Sequence, residues 1–151
     1  MMSDALAGLY QQVILDHSKL RTGFGQLDEA DAERFERNPS CGDEITLQLA
    51  LEPGTDRVRS LAWSGAGCSI SQASASVLAG LAPGLTTTEL QSTIDAFREM
   101  MRSRGIGDPD EDVLGDAVVF QGVSKFVMRV KCAMLAWVAA EGCLADVAAA
   151  R

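Results

Sequence analysis

The feature of this sequence that most constrains its fold is a segment in which large apolar residues alternate with smaller or polar ones. One face of this segment comprises Ile45, Leu47, Leu49 and Leu51, and the other comprises Thr46, Gln48, Ala50 and Glu52. A period of two predicts a half-buried β-strand. The turn sequence EPGTD follows, so a second strand over about 58–64 is expected to pair back as a hairpin. The parity of its apolar positions slips after Val58, which indicates a β-bulge.

Helical periodicity is present on both sides of this hairpin. Before it, an amphipathic helix is predicted through Leu6, Leu9, Tyr10, Val13 and Ile14. The polar, turn-rich residues 17–40 that follow are expected to form an ordered loop or a short edge strand. After the hairpin, a helix that ends at the sequence APG is marked by Ile70, Ala73, Val77, Leu78 and Leu81.

Two further helices complete the predicted order. Thr86 and Glu89 have the spacing of a capping box, and the stripe of the helix they begin comprises Leu90, Ile94, Phe97 and Met101. A long acidic connection over residues 102–116 then leads to a final long helix, which is weakened at Gly142. Its apolar positions are Val123, Phe126, Val127, Val130, Met134, Trp137 and Val138.

This order of elements predicts an α+β protein, with a small antiparallel sheet of about three strands packed against several helices. The length of 151 residues suits one domain with its own core, so residues 1–151 are expected to form a single domain.

Charge and composition exclude some classes of function. The formal net charge of −8 argues against nucleic-acid binding, which needs clustered Lys and Arg, and it suits a partner with a basic patch. No apolar run approaches the ~20 residues that span a bilayer, and the N-terminus lacks the pattern of a secretion signal. We therefore expect a cytoplasmic protein without a membrane partner. Its four cysteines are then expected to bind metal, to catalyse or to be incidental rather than to form disulfides.

The sequence NPSCGDE places Cys41 and Asp43 two positions apart, just before the first predicted strand. In an extended chain such residues share a face, so both side chains can reach one metal ion. The alternative is a turn capped by Asp43 with Cys41 as a small buried residue, and these two residues alone favour that alternative.

Cys68 lies between the glycine-rich turn SGAG and the start of a predicted helix. Free N–H groups and the helix dipole favour a thiolate at such a position. Glycine also lets the backbone approach a ligand or a partner closely. The alternative is a tight strand-to-helix turn in which the cysteine is incidental.

Cys132 lies inside the last predicted helix, three residues after Arg129, with which it shares a face. This face differs from the apolar stripe, so Cys132 need not fill the core. The alternative is a surface cysteine beside a solvated arginine. Together with the residues described above, Cys132 completes a candidate set of three soft ligands and one hard ligand, which suits tetrahedral zinc. The spacing of these residues in the sequence is not itself a metal-binding pattern. The three segments that carry them would have to converge in the fold. The candidate set comprises Cys41, Asp43, Cys68 and Cys132.

Three other features are interpreted as structural. Cys143 lies eleven residues after Cys132, which is ~16 Å along a continuous helix, so it is expected to be structural or incidental. His17, the only histidine, is expected to cap the first helix or to touch a partner. The sequence DPDEDVLGD resembles a calcium loop but lacks its required glycine and final glutamate, so a solvated loop is expected there.

Three motifs, in this order and at these separations, resemble the SufU proteins of the wider IscU/NifU-N family of iron–sulfur cluster biogenesis. They are NPSCGDE, GAGCSISQASASVL and MRVKCAMLAW. LYQQVILDH near the N-terminus is also similar, so the resemblance extends from about Leu9 to about Trp137. It implies a SufE/NifU-like fold with a family-type insertion at about 83–116.

Two details separate this chain from other members of that family. Scaffold IscU has His before the third cysteine and a Pro-Pro-Val-Lys motif upstream, whereas this chain has Lys131 and no such motif, which favours SufU. SufU-like sequences commonly have Pro where this chain has Val127, so the last helix is expected to extend further towards its N-terminus.

The resemblance implies a zinc-dependent sulfurtransferase that accepts persulfide sulfur from a SufS-type cysteine desulfurase and relays it to SufBCD-like cluster assembly proteins. Cys41 would be the mobile sulfur acceptor, and Arg129 would stabilise the charge of a thiolate or persulfide. One zinc ion would be held by Cys41, Asp43, Cys68 and Cys132.

Two alternatives to this activity remain. The first is a scaffold that assembles a [2Fe–2S] cluster on the same residues, with iron or a cluster in place of zinc. The second is a structural zinc domain whose role is partner binding.

Overall fold

The structure of the protein is a computed structural model that describes residues 4–40 and 42–150, with the backbone alone for residues 4–7. Helix α1 precedes three strands, which are β1 Ala32–Asn38, β2 Asp43–Leu51 and β3 Val58–Ala66. The helices are α1 Asp4–Leu20, α2 Ser69–Leu81, α3 Thr87–Arg102, α4 Glu111–Leu114 and α5 Val127–Ala149. Two 3₁₀ turns over Gly115–Gln121 and Val123–Lys125 connect α4 to α5. The predicted α+β class is therefore confirmed.

The three strands form one antiparallel sheet in the order β1-β2-β3. The central strand β2 buries the apolar face that its alternation predicted, with Leu47 and Leu49 inaccessible to solvent. The predicted hairpin joins β2 to β3, and its register shifts between Ala50 and Leu51, which confirms the predicted bulge. The short edge strand expected within residues 17–40 is β1.

The helices cover one face of this sheet. Helix α5 packs on β1 and β2, α2 packs against α5 and β3, and α1 and α3 pack outside them. At the centre, the ring of Trp137 stacks on Phe97 with centroids 4.0 Å apart, and its Nε1 donates to Ser74 Oγ at 2.8 Å. Helix α3 begins with the predicted capping box of Thr86 and Glu89. The sheet and these helices share one hydrophobic core.

The start of α5 differs from the prediction. The helix begins at Val127 itself, because Phe126 is its N-cap residue and is extended, with φ −116° and ψ 99°. Val127 thus occupies the first helical position, where Pro is also favoured, and the helix is not extended N-terminally. The side chains of Phe126 and Val127, predicted to lie on the apolar stripe, are 61% and 59% exposed.

Gly142 does not weaken α5, which continues to Ala149. The side chain of Arg34 lies over this glycine, so that a Cβ added at Gly142 would be 3.0 Å from Arg34 Cγ. Arg34 then forms a bidentate ion pair with Asp146 on the next turn of α5. The absence of a side chain at Gly142 therefore allows Arg34 to pass over the helix and to link β1 to α5 through Asp146.

The acidic connection is more ordered than the predicted loop. Its short helix α4 is capped by Asp110, whose Oδ1 accepts a hydrogen bond from the Asp112 N–H at 2.9 Å. Among the described residues, α5 alone is long and apolar enough to cross a membrane by length and composition. More than half of its most apolar window is buried inside the protein, so its role as the core helix accounts for its composition.

Candidate metal site

Three of the four predicted ligands converge at one end of the sheet. Asp43 begins β2, Cys68 is the N-cap residue of α2, and Cys132 lies in the second turn of α5. One carboxylate oxygen and the two sulfur atoms lie within 4.8 Å of one another. These residues meet because β2 pairs with β3, which leads into α2, while α5 packs against β2 and α2.

The carboxylate of Asp43 is 3% exposed and is held by backbone as well as thiol groups. Its Oδ1 accepts a hydrogen bond from the Cys68 N–H at 3.1 Å, and its Oδ2 lies 3.6 Å from Cys68 Sγ. A buried carboxylate is unfavourable without such partners. The bond to Oδ1 fixes the carboxyl plane and directs Oδ2 towards the thiols.

Cys68 projects from the start of α2. Its backbone is extended, with φ −70° and ψ 170°, and its side chain does not cap the helix. The sulfur instead lies 3.7 Å from Ser71 Oγ, while the Ser71 hydroxyl donates to the Cys68 carbonyl oxygen at 3.1 Å. The half-buried thiol is therefore directed towards Asp43 from a helix N-terminus, where anionic groups are favoured.

The two glycines of SGAG permit close packing inside the protein. Gly65 has φ +148°, and a Cβ there would collide with the backbone carbonyl of Glu44 on the paired strand. At Gly67, a Cβ would collide with Ser71 Oγ and come within 3.0 Å of Asp43 Oδ1. Gly67 thus leaves the space that the Asp43 carboxylate occupies.

Cys132 is 1% exposed, yet it is not among the residues of the main hydrophobic cluster. Its sulfur lies 3.7 Å from the Met128 carbonyl oxygen, one turn earlier in α5. The alternative of a surface cysteine is therefore wrong. Arg129 is exposed and, among the described residues, its side chain forms no hydrogen bond or ion pair, so its role at the site stays a prediction.

Cys41, the fourth predicted ligand, lies outside the described residues. The residues on either side of it are fixed by Asn38, which is 5% exposed. The Ser40 N–H donates to Asn38 Oδ1 at 3.1 Å, and the Gly42 N–H donates to the Asn38 carbonyl oxygen at 2.8 Å. Gly42 has φ +72°, so the extended conformation assumed between Cys41 and Asp43 is wrong.

Sequence reasoning missed Ser71 and Asn38 as supports of this site. The position of Ser71, three residues after a helix N-cap, was the available signal for the first. For Asn38 the signal was an Asx residue that precedes a turn, where its side chain can accept a backbone hydrogen bond. Both residues are buried and contact the segments that carry the predicted ligands.

Cys143 and His17 lie apart from the three converging ligands. Cys143 is fully buried in the core, with its sulfur 3.6 Å from the Leu47 carbonyl oxygen. Burial raises the pKa of the Cys143 thiol to about 12. His17 contacts Ser76 Oγ through Nδ1 at 2.9 Å and Asp116 through Nε2 at 3.2 Å, so it joins α1 to α2 and to the segment after α4.

Two thiols and one carboxylate, drawn from three separate elements, match the donor types that bind zinc or iron. A tetrahedral zinc ion has bonds of about 2.0–2.3 Å, which places its ligand atoms ~3.5 Å apart. The separations of up to 4.8 Å are close to that requirement. The described residues therefore fit a metal ion that takes a further ligand from outside this set.

Residues 9–133 match the NifU-like N-terminal domain family, and the chain belongs to that family. Within it, the chain is 40% identical over 133 residues to the zinc-dependent sulfurtransferase SufU of Bacillus subtilis, covering 88% of this chain and 87% of that protein. It is 38% identical over 137 residues to the iron–sulfur cluster assembly scaffold protein IscU of Streptococcus pyogenes, covering 91% and 83%.

The fold is also that of solved members of this group. The crystal structure of FiSufU from Fervidobacterium islandicum AW-1, described as a scaffold protein of the SUF system, superposes with a TM-score of 0.81. The two sequences are 33% identical, and the match covers 94% of this chain and 99% of that one. The resemblance to SufU and IscU proteins drawn from the sequence motifs is thereby confirmed.

Proposed function

We propose that this chain is a zinc-dependent sulfurtransferase, which accepts persulfide sulfur from a cysteine desulfurase and relays it for iron–sulfur cluster assembly. The observation that carries the proposal is the convergence of Asp43, Cys68 and Cys132, whose ligand atoms lie within 4.8 Å of one another. The SufU protein of B. subtilis, whose name gives this activity, supports the same assignment.

In this proposal Cys41, Asp43, Cys68 and Cys132 would hold one zinc ion, which would keep the bound thiols deprotonated without redox chemistry of its own. Asp43 would contribute a carboxylate oxygen, and its Oδ2 is the oxygen that contacts the Cys68 sulfur at 3.6 Å. Cys132 is fixed within a helix and Cys68 at a helix start, so these two residues anchor the site. Arg129 lies one turn before Cys132, where it would stabilise the charge of an incoming persulfide.

Cys41 is the proposed sulfur acceptor, because its position in the sequence lies between the last residue of β1, Asn38, and the first residue of β2, Asp43, whereas Cys68 and Cys132 belong to helices or their caps. Its thiolate attacks the terminal sulfur of the persulfide carried by the desulfurase. A new S–S bond forms on Cys41 as the S–S bond of the donor breaks, and the donor cysteine leaves as a thiolate. A SufBCD-like assembly protein then receives the sulfur.

We assign residues 1–151 to one domain, in which residues 83–116 are the family-type insertion.

A sulfur-transfer experiment tests this proposal. The zinc content of the purified protein is measured first, and desulfurase turnover is then measured with the protein before and after chelation. We expect about one zinc ion per chain and a stimulation that is lost on chelation. With radiolabelled cysteine as the sulfur source, Cys41→Ser should accept no label, whereas the matched variant Cys143→Ser should accept it normally. Normal labelling of Cys41→Ser would refute the assignment of Cys41.

A second candidate function is a scaffold that assembles a [2Fe–2S] cluster on the same four residues. The 38% identity to the IscU scaffold of S. pyogenes favours it. Anaerobic reconstitution with iron and sulfide separates the two candidates. A stable cluster that displaces zinc and transfers to an apo-acceptor would support the scaffold, and failure to retain a cluster would support the sulfurtransferase.

A further inference from the structure

Three consecutive large apolar side chains are exposed where α5 begins. Phe126 is 61% exposed, Val127 is 59% exposed and Met128 is 57% exposed. Single exposed apolar residues are common on protein surfaces, but adjacent ones form a patch that favours a protein contact. We refer to residues 126–128 as the α5 patch.

The α5 patch borders the candidate metal site. The carbonyl oxygen of Met128 lies 3.7 Å from Cys132 Sγ, so the last residue of the patch contacts the innermost thiol of the site. Any protein that brings a sulfur atom to these thiols must approach the surface next to them. The position of the patch therefore suits a sulfur donor better than a partner that binds elsewhere.

The charged residues next to the α5 patch in the sequence are opposite in sign to the net charge of the protein. Lys125, Arg129 and Lys131 flank the patch and are exposed, and the sequence contains no acidic residue between Asp116 and Glu141. The chain as a whole has a net charge of −8. The stem of Lys125 also lies against Gly105, where an added Cβ would be 2.8 Å from Lys125 Cγ, so this cation is held beside the patch.

We propose that the α5 patch is the docking surface for the sulfur donor, a cysteine desulfurase that presents an apolar pocket rimmed by acidic residues. This inference rests on the proposed function and adds to it the surface and the chemistry of the partner. A second copy of the chain is the less suitable occupant, because a symmetric contact would place three cations of one copy near three of the other.

The roles of the two kinds of residue differ. Apolar side chains at the centre of an interface supply most of its affinity when a pocket removes them from water. Flanking cations increase the rate of association and make it sensitive to salt.

The sequence prediction of a basic partner surface followed from the net charge alone, whereas the local charge beside the site predicts an acidic partner surface.

Calorimetric titration of the zinc-loaded chain with the purified cysteine desulfurase of the same organism tests this proposal. Val127→Ser is compared with Val138→Ser, because both residues are exposed valines of α5 and lie ~16 Å apart along the helix. Lys125→Glu is compared with Lys19→Glu, an exposed lysine on α1. We expect the two patch variants to raise Kd about tenfold and the two controls to change it by less than about twofold. The effect of Lys125→Glu should shrink as salt is added, and all four variants should retain zinc.

Each other outcome overturns a specific statement. Normal binding by both patch variants refutes the docking surface and leaves the proposed function standing. If the unaltered chain does not bind the desulfurase, the sulfur donor in the proposed function is wrong, and this inference fails with it. If Val127→Ser instead abolishes a dimer of the chain, seen by sedimentation, and leaves desulfurase affinity unchanged, the patch is a contact between copies.

Discussion

The Asp43 carboxylate accepts a hydrogen bond from the Cys68 N–H at 3.1 Å, and its second oxygen lies 3.6 Å from the Cys68 sulfur. One residue therefore links the start of β2 to the start of α2 and also contributes to the candidate metal site. The oxygen that accepts the backbone N–H, Oδ1, differs from the oxygen that contacts the sulfur, Oδ2. The two roles can consequently be separated by substitutions that keep one oxygen and change the other.

Asp43→Asn should lose metal binding while it keeps most of the stability of the metal-free fold. The amide oxygen of Asn can still accept the Cys68 N–H, but a neutral side chain is a poorer zinc ligand than a carboxylate. Asp43→Ala removes both groups and should cost a further ~1–2 kcal/mol in the metal-free protein, because the half-buried Cys68 N–H loses its acceptor. Chelator competition measures the affinity and urea unfolding of the metal-free protein measures the stability. Equal stability of the two variants would show that the hydrogen bond contributes nothing.

Gly67→Ala should weaken metal binding by about tenfold or more, because its new methyl group would collide with Ser71 and displace the Asp43 carboxylate. Gly80→Ala is the matched control in the same part of the chain. Its nearest neighbour would be Thr22 Cγ2 at 4.0 Å, and it lies in the helix α2. The control should bind metal normally and gain ~0.5–1 kcal/mol of stability from helix propensity. Normal metal affinity of Gly67→Ala would refute the close packing described here.

The sequence predicted the sheet, the helices and the candidate ligands, because these depend on local periodicity and on residue type. Alternation around Leu47 identified the central strand, and the spacing of Thr86 and Glu89 identified a capping box that the structure contains. Cys68 and Cys132 were identified by their neighbours and by the family resemblance. Sequence reasoning could only assume that the segments carrying these residues converge. Their convergence depends on how α2 and α5 pack, which the sequence does not show.

The features that sequence reasoning missed depend on tertiary contacts. Gly142 was expected to weaken α5, but Arg34 from a distant strand lies over it and pairs with Asp146. Val127 was expected on the buried stripe, yet its side chain in the first turn of α5 is 59% exposed. A one-dimensional pattern does not show which turn of a long helix receives a neighbour.

Cys143 should be the least reactive described thiol of the native protein. Burial raises its pKa from 9.0 to about 12, which lowers its thiolate fraction about a thousandfold at neutral pH. The half-buried Cys68 should therefore be alkylated by iodoacetamide in the metal-free protein well before Cys143, and added zinc should protect it. Peptide mapping by mass spectrometry measures both rates, and unfolding in urea should equalise them. Fast native labelling of Cys143 would show that the core opens at this position.

Acidification should remove the stability that the ion pair between α3 and α5 provides. Arg98 binds both carboxylate oxygens of Glu141, at 2.7 and 3.1 Å, and Gln91 donates to one of them. The hydrogen bond from Arg98 lowers the pKa of Glu141 below its ordinary value of 4.5. A lowered pKa means that the stabilisation is fully present above 4.5 and is lost as the pH falls through the folded-state value.

Glu141→Gln should accordingly be less stable than the unaltered chain by a constant amount between about pH 5 and 8, and the difference should shrink at lower pH. Thermal unfolding of both proteins across this range measures it. Glu99→Gln is the matched control, since Glu99 is exposed on α3 and forms no ion pair within the part of the chain that the structure describes. Its difference from the unaltered chain should stay near zero throughout. A Glu141→Gln difference that persists undiminished in acid would show that the side chain stabilises the helix pair by packing rather than by charge.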